Sequence, residues 1–193
     1  MESILVTHCV DEASAFVPNY LEDNTTAFVA EVQSLYDKVS VQNEIVQFYP
    51  PPNSSNPQYQ TEQGRIQTYM MYSYFTCHVR IIAQAFQNST WVGQWSRGTG
   101  KHGADIPAVF HNATSPTDFE SGYQDYLISH AITGDPNTLR TANGTIEWPK
   151  PIIGNVIGNV LNIGDSGYSI FTDGELPANE CDFWLQMWQQ SST

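Results

Sequence analysis

Thr90 to Asp105 reads "TWVGQWSRGTGKHGAD". Its first residues alternate well enough for a strand, and the rest is a glycine-rich loop that carries His102 between Lys101 and Gly103. His102 is therefore placed just past a strand end. A second stretch behaves the same way: "ILVTHC", Ile4 to Cys9, is a short β-branched and apolar run that reads as a buried strand ending at Cys9 or Val10, and Asp11 and Glu12 open its acidic exit loop. Functional groups in open α/β sheets gather at the carboxyl ends of strands, so the two loops are predicted to meet across the 90 residues (102 − 12) between Glu12 and His102.

Around these strands the pattern is helical. From Asn24, residues Phe28, Val29, Val32, Leu35, Tyr36 and Val39 recur at helical spacing, with Asp23 or Asn24 as cap. Pro50, Pro51 and Pro52 with "NSSNP" then end regular structure in an exposed loop. A long helix is predicted from about Gln63 to Gln87, with Ile66, Met70, Cys77, Ile81 and Ala85 inward. A third fits "SPTDFESGYQDYLISHAIT", with Pro116 near its first position and Gly134 and Pro136 behind it. Turn chemistry and short strand-like runs follow as far as Asp173, with "NIGDSGYS" read as a strand and a turn. A last amphipathic helix holds Cys181, Phe183, Trp184, Met187 and Trp188, the tryptophans read as core. Strands separated by long helical stretches make this an α/β layer architecture in one unit, residues 1–193. Two or three strands leave its sheet incomplete.

Seven Lys+Arg against 20 Asp+Glu give a net charge of −13, which repels phosphate backbones and anionic lipid. Nucleic acid is not an expected partner. The weakly polar "PIIGNVIGNVLNIG" is interrupted by Asn155, Asn159 and Asn162 and falls short of the roughly 20 residues a bilayer span needs. Five N-x-[ST] acceptors, at Asn24, Asn53, Asn88, Asn112 and Asn143, point to a secreted glycoprotein. "MESILVTHCV" has no basic segment and no apolar run of the roughly 7 to 15 residues that a signal peptide requires. A secreted protein without such a leader is expected to have its beginning outside this sequence. Cys9, Cys77 and Cys181 allow one disulfide and one thiol, at spacings unlike a zinc knuckle.

An acid followed by a histidine in chain order is what remains of a Ser, Asp/Glu, His triad of the α/β-hydrolase kind once its serine is removed. In such a triad the carboxylate fixes the imidazole tautomer, and the other ring nitrogen takes the serine proton. Taken singly, a loop histidine and a paired Asp-Glu are more often solvated turn residues. A different serine stands in "GDSG", Gly164 to Gly167, where His102, Asp105 and Ser166 follow the chain order of chymotrypsin-like proteases. Helices in this number do not fit that two-barrel fold. His8, Asp11, Glu12 and His102 lack a recognised metal-ligand spacing, so neither a metal nor another cofactor is expected.

"ILVTHCVDEASAF", "KHGADIPAVF", "TGDPN", "EWPKP" and "CDFW" occur in the order and rough spacing of the type B carboxylesterases, a family that includes cholinesterases and secreted fungal lipases. The chain resembles the C-terminal portion of that α/β-hydrolase domain from Ile4 to about Trp184. The resemblance implies a serine esterase acting through an acyl-enzyme, with Glu12 as the orienting acid, His102 as the general base and Asp105 as a structural residue. It also implies a Cys77–Cys181 disulfide, closing a loop of about 104 residues worth roughly 4 to 5 kcal/mol in the chain-entropy account. Two departures stand out. Ala13 replaces the glycine that follows the acidic pair in the family, which predicts a turn less able to adopt φ > 0. No serine has glycine at both −2 and +2, so the nucleophile elbow and its oxyanion loop, which the family carries in its N-terminal half, are absent from this sequence. The chain alone is therefore expected to be inactive, and a small-molecule or lipid ester becomes its substrate only when the N-terminal part completes it. The alternative is a non-catalytic pseudoenzyme or secreted interaction protein of the same fold.

Overall fold

The computed structural model describes residues 3–52, 58–110 and 119–191. β1 (Ile4–Cys9) runs parallel to β2 (Thr90–Trp95), from Ile4 opposite Thr90 to Cys9 opposite Trp95. β2 is parallel to β4 (Ile157–Gly164) through Gly93 opposite Leu161 to Trp95 opposite Ile163. β5 (Gly167–Asp173) returns antiparallel along β4, and the two-residue β3 (Ile152–Ile153) pairs with Gly158 and Ile157. The sheet thus has five strands where two or three were predicted. The additional ones lie in the segment of turn chemistry and short strand-like runs, where the strand and turn expected in "NIGDSGYS" are the end of β4 and the hairpin; Gly158, Asn159, Asn162 and Gly164 interrupt the apolar pattern of β4. Asp165 and Ser166 of "GDSG" form the turn of the β4–β5 hairpin, and Ser166 is exposed.

Every residue of β2 is buried, because helices and aromatic side chains cover both of its faces. On one face Trp91 and Trp95 pack with Tyr123 and Tyr126 of α6 (Phe119–Thr133) and with Trp148. On the other, Val92 meets Val79 and Ala83 of α4 (Cys77–Phe86). Gly93 sits where a β-carbon would stand 2.8 Å from the Trp148 ring, so the strand's lack of a side chain there makes room for the indole, whose Nε1–H donates to Val92 O at 2.9 Å. Alternation in "TWVGQWS" therefore separates two buried faces.

The helices form a second layer of core. α1 (Ala27–Leu35), α2 (Val39–Phe48) and α3 (Glu62–Met70) bury Phe28, Val32, Ile45, Tyr49 and Tyr69 against Trp184 and Met187 of α7 (Ala178–Ser191). The single helix predicted through Val39 is in fact broken: Tyr36 is extended (φ −122°, ψ 121°), and Leu35 and Val39 are exposed. No proline or glycine marks the break; Gln42 Nε2 donates to Tyr36 O at 2.6 Å across it. The long helix predicted over 63–87 exists as α3 and α4 joined by a π-helical turn, Met71–Thr76. Beyond that turn Cys77 is buried and Ile81 half-buried, whereas Ala85, near the end of α4, is exposed instead of inward. Cys77 and Cys181 form a disulfide that ties α4 to α7 across 104 residues. The start of the third predicted helix, with Pro116, lies outside the described residues; its end is closed by Gly134 at φ +75°. The short α5 (Ile106–Val109) follows the His102 loop.

Candidate active site

The loops leaving β1 and β2 are joined through their main chains. Val10 N–H donates to Trp95 O at 2.9 Å, Asp11 N–H to Gly100 O at 2.8 Å, and His102 N–H to Asp11 O at 3.1 Å. The parallel pairing of the strands thus continues for one isolated bridge, Asp11 with Lys101, beyond the sheet. Gly100 makes this close approach possible: its φ is +60°, and a β-carbon there would lie 2.3 Å from Val10 Cγ1.

This geometry puts Glu12 and His102 side by side. Glu12 is buried and accepts from Cys9 N–H through Oε1 at 2.6 Å, while its Oε2 stands 2.5 Å from His102 Nδ1. The side chain of His102 is 45% exposed against 7% for Glu12, and among the described residues its Nε2 has no hydrogen-bond partner. With Nδ1–H held by the carboxylate, Nε2 is the nitrogen turned to incoming groups. Phe16 meets the ring edge-on at 5.3 Å and Phe75, from the π-helical turn, lies 4.8 Å away. A groove of about 500 Å³ begins at Phe16 and runs past Leu21, Ala27, Ile66 and Met70.

Asp11 serves its own turn, accepting from Ser14 N–H at 3.1 Å and from the Ser14 hydroxyl. Ala13 does not take a positive φ, and its methyl is buried, so the turn needs no glycine at this position. Asp105 is half-buried, with Oδ1 3.8 Å from the Cys9 thiol. Burial first, and then the charges of Glu12 and Asp105, push that thiol up to about 12, so the free Cys9 stays protonated. Among the described residues no hydroxyl is hydrogen-bonded to His102, that of Ser166 included.

His8 belongs to a different group from the one weighed in the sequence. Its Nε2 is 2.6 Å from Asp173 Oδ2, its Nδ1 is 3.1 Å from Cys9 O and 3.8 Å from Glu175 Oε2, and Gln94 Nε2 donates to Glu175 at 3.1 Å. His8, Asp173 and Glu175 offer ligand atoms within 4.8 Å of one another. Asp173 and Glu175 approach opposite nitrogens of the ring, however, which suits a clamped imidazolium better than a shared ion. Burial alone lowers the imidazole's proton affinity, but the Asp173 bond and the Asp173 and Glu175 charges outweigh it and leave the His8 pKa raised. Sequence reading missed this cluster and the position of Phe75. A histidine on an otherwise apolar strand was the one available signal for the first; the π-helical turn left none for the second.

Candidate glycan acceptors Asn24, Asn88 and Asn143 are all exposed, whereas Asn53 and Asn112 lie outside the described residues. Asn24 Oδ1 accepts from the hydroxyl of Thr26 in its own acceptor motif at 3.0 Å. Among the described residues no helix is long and apolar enough to cross a membrane.

No protein-family model matches the chain. A secreted lipase of Arthroderma benhamiae is 29% identical over 208 residues, covering 97% of this chain and 38% of the lipase. Among solved structures, Aspergillus niger EstA superposes with a TM-score of 0.68 at 22% identity, over 99% of this chain and 41% of that one. A PNB esterase does so with a TM-score of 0.56 at 16% identity, over 94% and 37%. The chain has a carboxylesterase-like α/β-hydrolase fold. It spans about two fifths of the length of these relatives and matches their C-terminal part. The five-stranded mixed sheet of this hydrolase-like chain is accordingly a partial one. Its similarity in sequence is to an esterase/lipase-type hydrolase, and its Cys77–Cys181 bridge lies between helices of that fold.

Proposed function

We propose that this chain is the C-terminal segment of a carboxylesterase domain and supplies the acid–base half of a serine ester hydrolase. The observation that carries the reading is the Glu12–His102 pair, with a buried carboxylate on Nδ1 and an unpartnered, solvent-accessible Nε2, at the strand ends of an esterase-like fold. Nε2 takes the proton from a serine supplied by the N-terminal part of the domain, and Glu12 holds the ring in the required tautomer and stabilises its protonated form. The same nitrogen then returns the proton to the departing alcohol oxygen. An acyl-serine forms and is hydrolysed by water, which His102 activates in turn. Phe16 and Phe75 form an apolar wall beside the base, suited to the hydrocarbon part of a small-molecule or lipid ester. The chemistry calls for no cofactor.

With no hydroxyl hydrogen-bonded to His102 among the described residues, this reading makes the chain alone inactive. Likeness to a secreted lipase and five acceptor motifs support an extracellular glycoprotein modified at Asn24, Asn53, Asn88, Asn112 or Asn143. The test is a chimera in which this chain replaces the matching C-terminal part of the Arthroderma lipase. It is expected to hydrolyse p-nitrophenyl esters and to lose roughly 10²- to 10⁴-fold in turnover on His102→Ala. An active chimera indifferent to His102→Ala sinks the assignment. Turnover by the unfused chain that His102→Ala abolishes contradicts the predicted dependence on a missing part.

A further inference from the structure

We infer that His8, clamped by Asp173, is a positioning residue for the Glu12–His102 pair, holding as a fixed cation both the residue whose N–H binds Glu12 and the acidic cluster behind it. The inference rests on the acid–base reading of that pair. Both ring nitrogens of His8 face acceptors, Cys9 O at 3.1 Å and the Asp173 carboxylate at 2.6 Å. Only the doubly protonated ring donates to both. The residue it grips through the carbonyl is Cys9, whose own N–H binds Glu12 Oε1 at 2.6 Å, so one residue of β1 carries the cation on one side and the acid on the other.

Electrostatics couple the same groups. Glu175 is pushed up to about 7 by burial first, against the pull of His8, and then by the charges of Asp173, Asp11 and Glu12. Asp173 and Glu175 thus act on the buried imidazole directly, and Asp11 and Glu12 act on Glu175. The groups facing the cluster are Gln94 from β2, Asp173 and Glu175 from the end of β5, Asp11 and Glu12 from the β1 exit loop, and Tyr72 from the π-helical turn, whose phenol feels Glu175 and Asp173. Loss of the His8 proton removes the one cation of this set and one of its two hydrogen bonds. The Cys9 carbonyl then loses its imidazole donor, and Glu12, bound to the N–H of the same residue, is held less firmly.

The full chain, labelled with ¹⁵N, tests this by NMR. The His8 ring is expected to keep both protons above pH 6.5. The proton between Glu12 and His102 is expected as a far-downfield signal whose exchange with water accelerates in a step at the pH where His8 deprotonates. His8→Gln, which keeps a donor for Asp173 but no charge, should abolish the step and raise that exchange roughly tenfold at neutral pH, the equivalent of one pKa unit. Glu12→Gln should remove the signal entirely. If the signal survives Glu12→Gln, the pair itself is misread; if it responds to Glu12→Gln but is indifferent to His8→Gln, the role of His8 alone is overturned. Should His8→Gln fail to fold, Asp173→Asn decides the matter: it should move the step to lower pH, and an unmoved step refutes the inference.

Discussion

Gly100 fixes where His102 stands, since the loop folds back onto Val10 only because no β-carbon separates them. Gly100→Ala combines a strained positive φ, costing about 1 to 3 kcal/mol, with a contact that Val10 must move to relieve. The expected result is a Tm lower by roughly 4 to 10 °C, read by thermal unfolding; an unchanged Tm would mean that the loop re-forms without its main-chain bonds to Asp11. At this scale Glu12 and His102 were legible because each follows a strand directly, so local pattern alone placed them at one end of the sheet. The strain predicted at Ala13 does not arise, because the loop bends through the Asp11–Ser14 turn and keeps Ala13 at negative φ. His8 was not legible as part of a cluster, since its partners Asp173 and Glu175 stand 165 residues and more down the chain and reach it only through the β4–β5 hairpin.

Among the elements, the amphipathic helices that bracket the disulfide carry much of the stability. Opening Cys77–Cys181, by reductant or as Cys77→Ser with Cys181→Ser, frees a 104-residue loop and is expected to cost about 4.7 kcal/mol in the chain-entropy account. Denaturant unfolding with and without reductant measures the difference, and a cost below about 1 kcal/mol would mean that the helical core of Phe28, Tyr49, Tyr69 and Trp184 holds α4 to α7 unaided. α7 was legible from its apolar spacing, and the end of α6 from Gly134 and Pro136, which follow it. The break between α1 and α2 was not, because Leu35, Tyr36 and Val39 continue the apolar spacing of Phe28 and Val32 across "YDK", although Leu35 and Val39 are exposed and α2 buries Val41 and Ile45 instead. The π-helical turn likewise has no compositional mark: "MYSYFT" reads as ordinary helix, yet it brings Phe75 to the His102 ring.

For the whole molecule, the sheet and its buried acids set the response to pH. His8 has a raised pKa, so its contribution to stability is complete below its unfolded value of 6.5 and is lost as pH rises through its folded one. Glu175, raised from 4.5 to about 7, binds more protons folded than unfolded between those values, so its ionisation also lowers stability as pH rises. Both effects have the same sign. Tm is expected to fall as pH climbs from about 4.5 to beyond 7, and Glu175→Gln should flatten the lower part of that fall; a Tm that rises over this range would contradict the linkage. The α/β class was legible from two strands and long helices, whereas the hairpin was legible only as short strand-like runs and the strand and turn of "NIGDSGYS", since Asn159 and Asn162 interrupt β4. Because amides and carbonyls bring the base to the acid, the exposed side chain of Lys101 is open to replacement at constant chemistry. That position is where evolution or a designer has latitude to rewrite what the molecule recognises while its proton-transfer machinery stays in place.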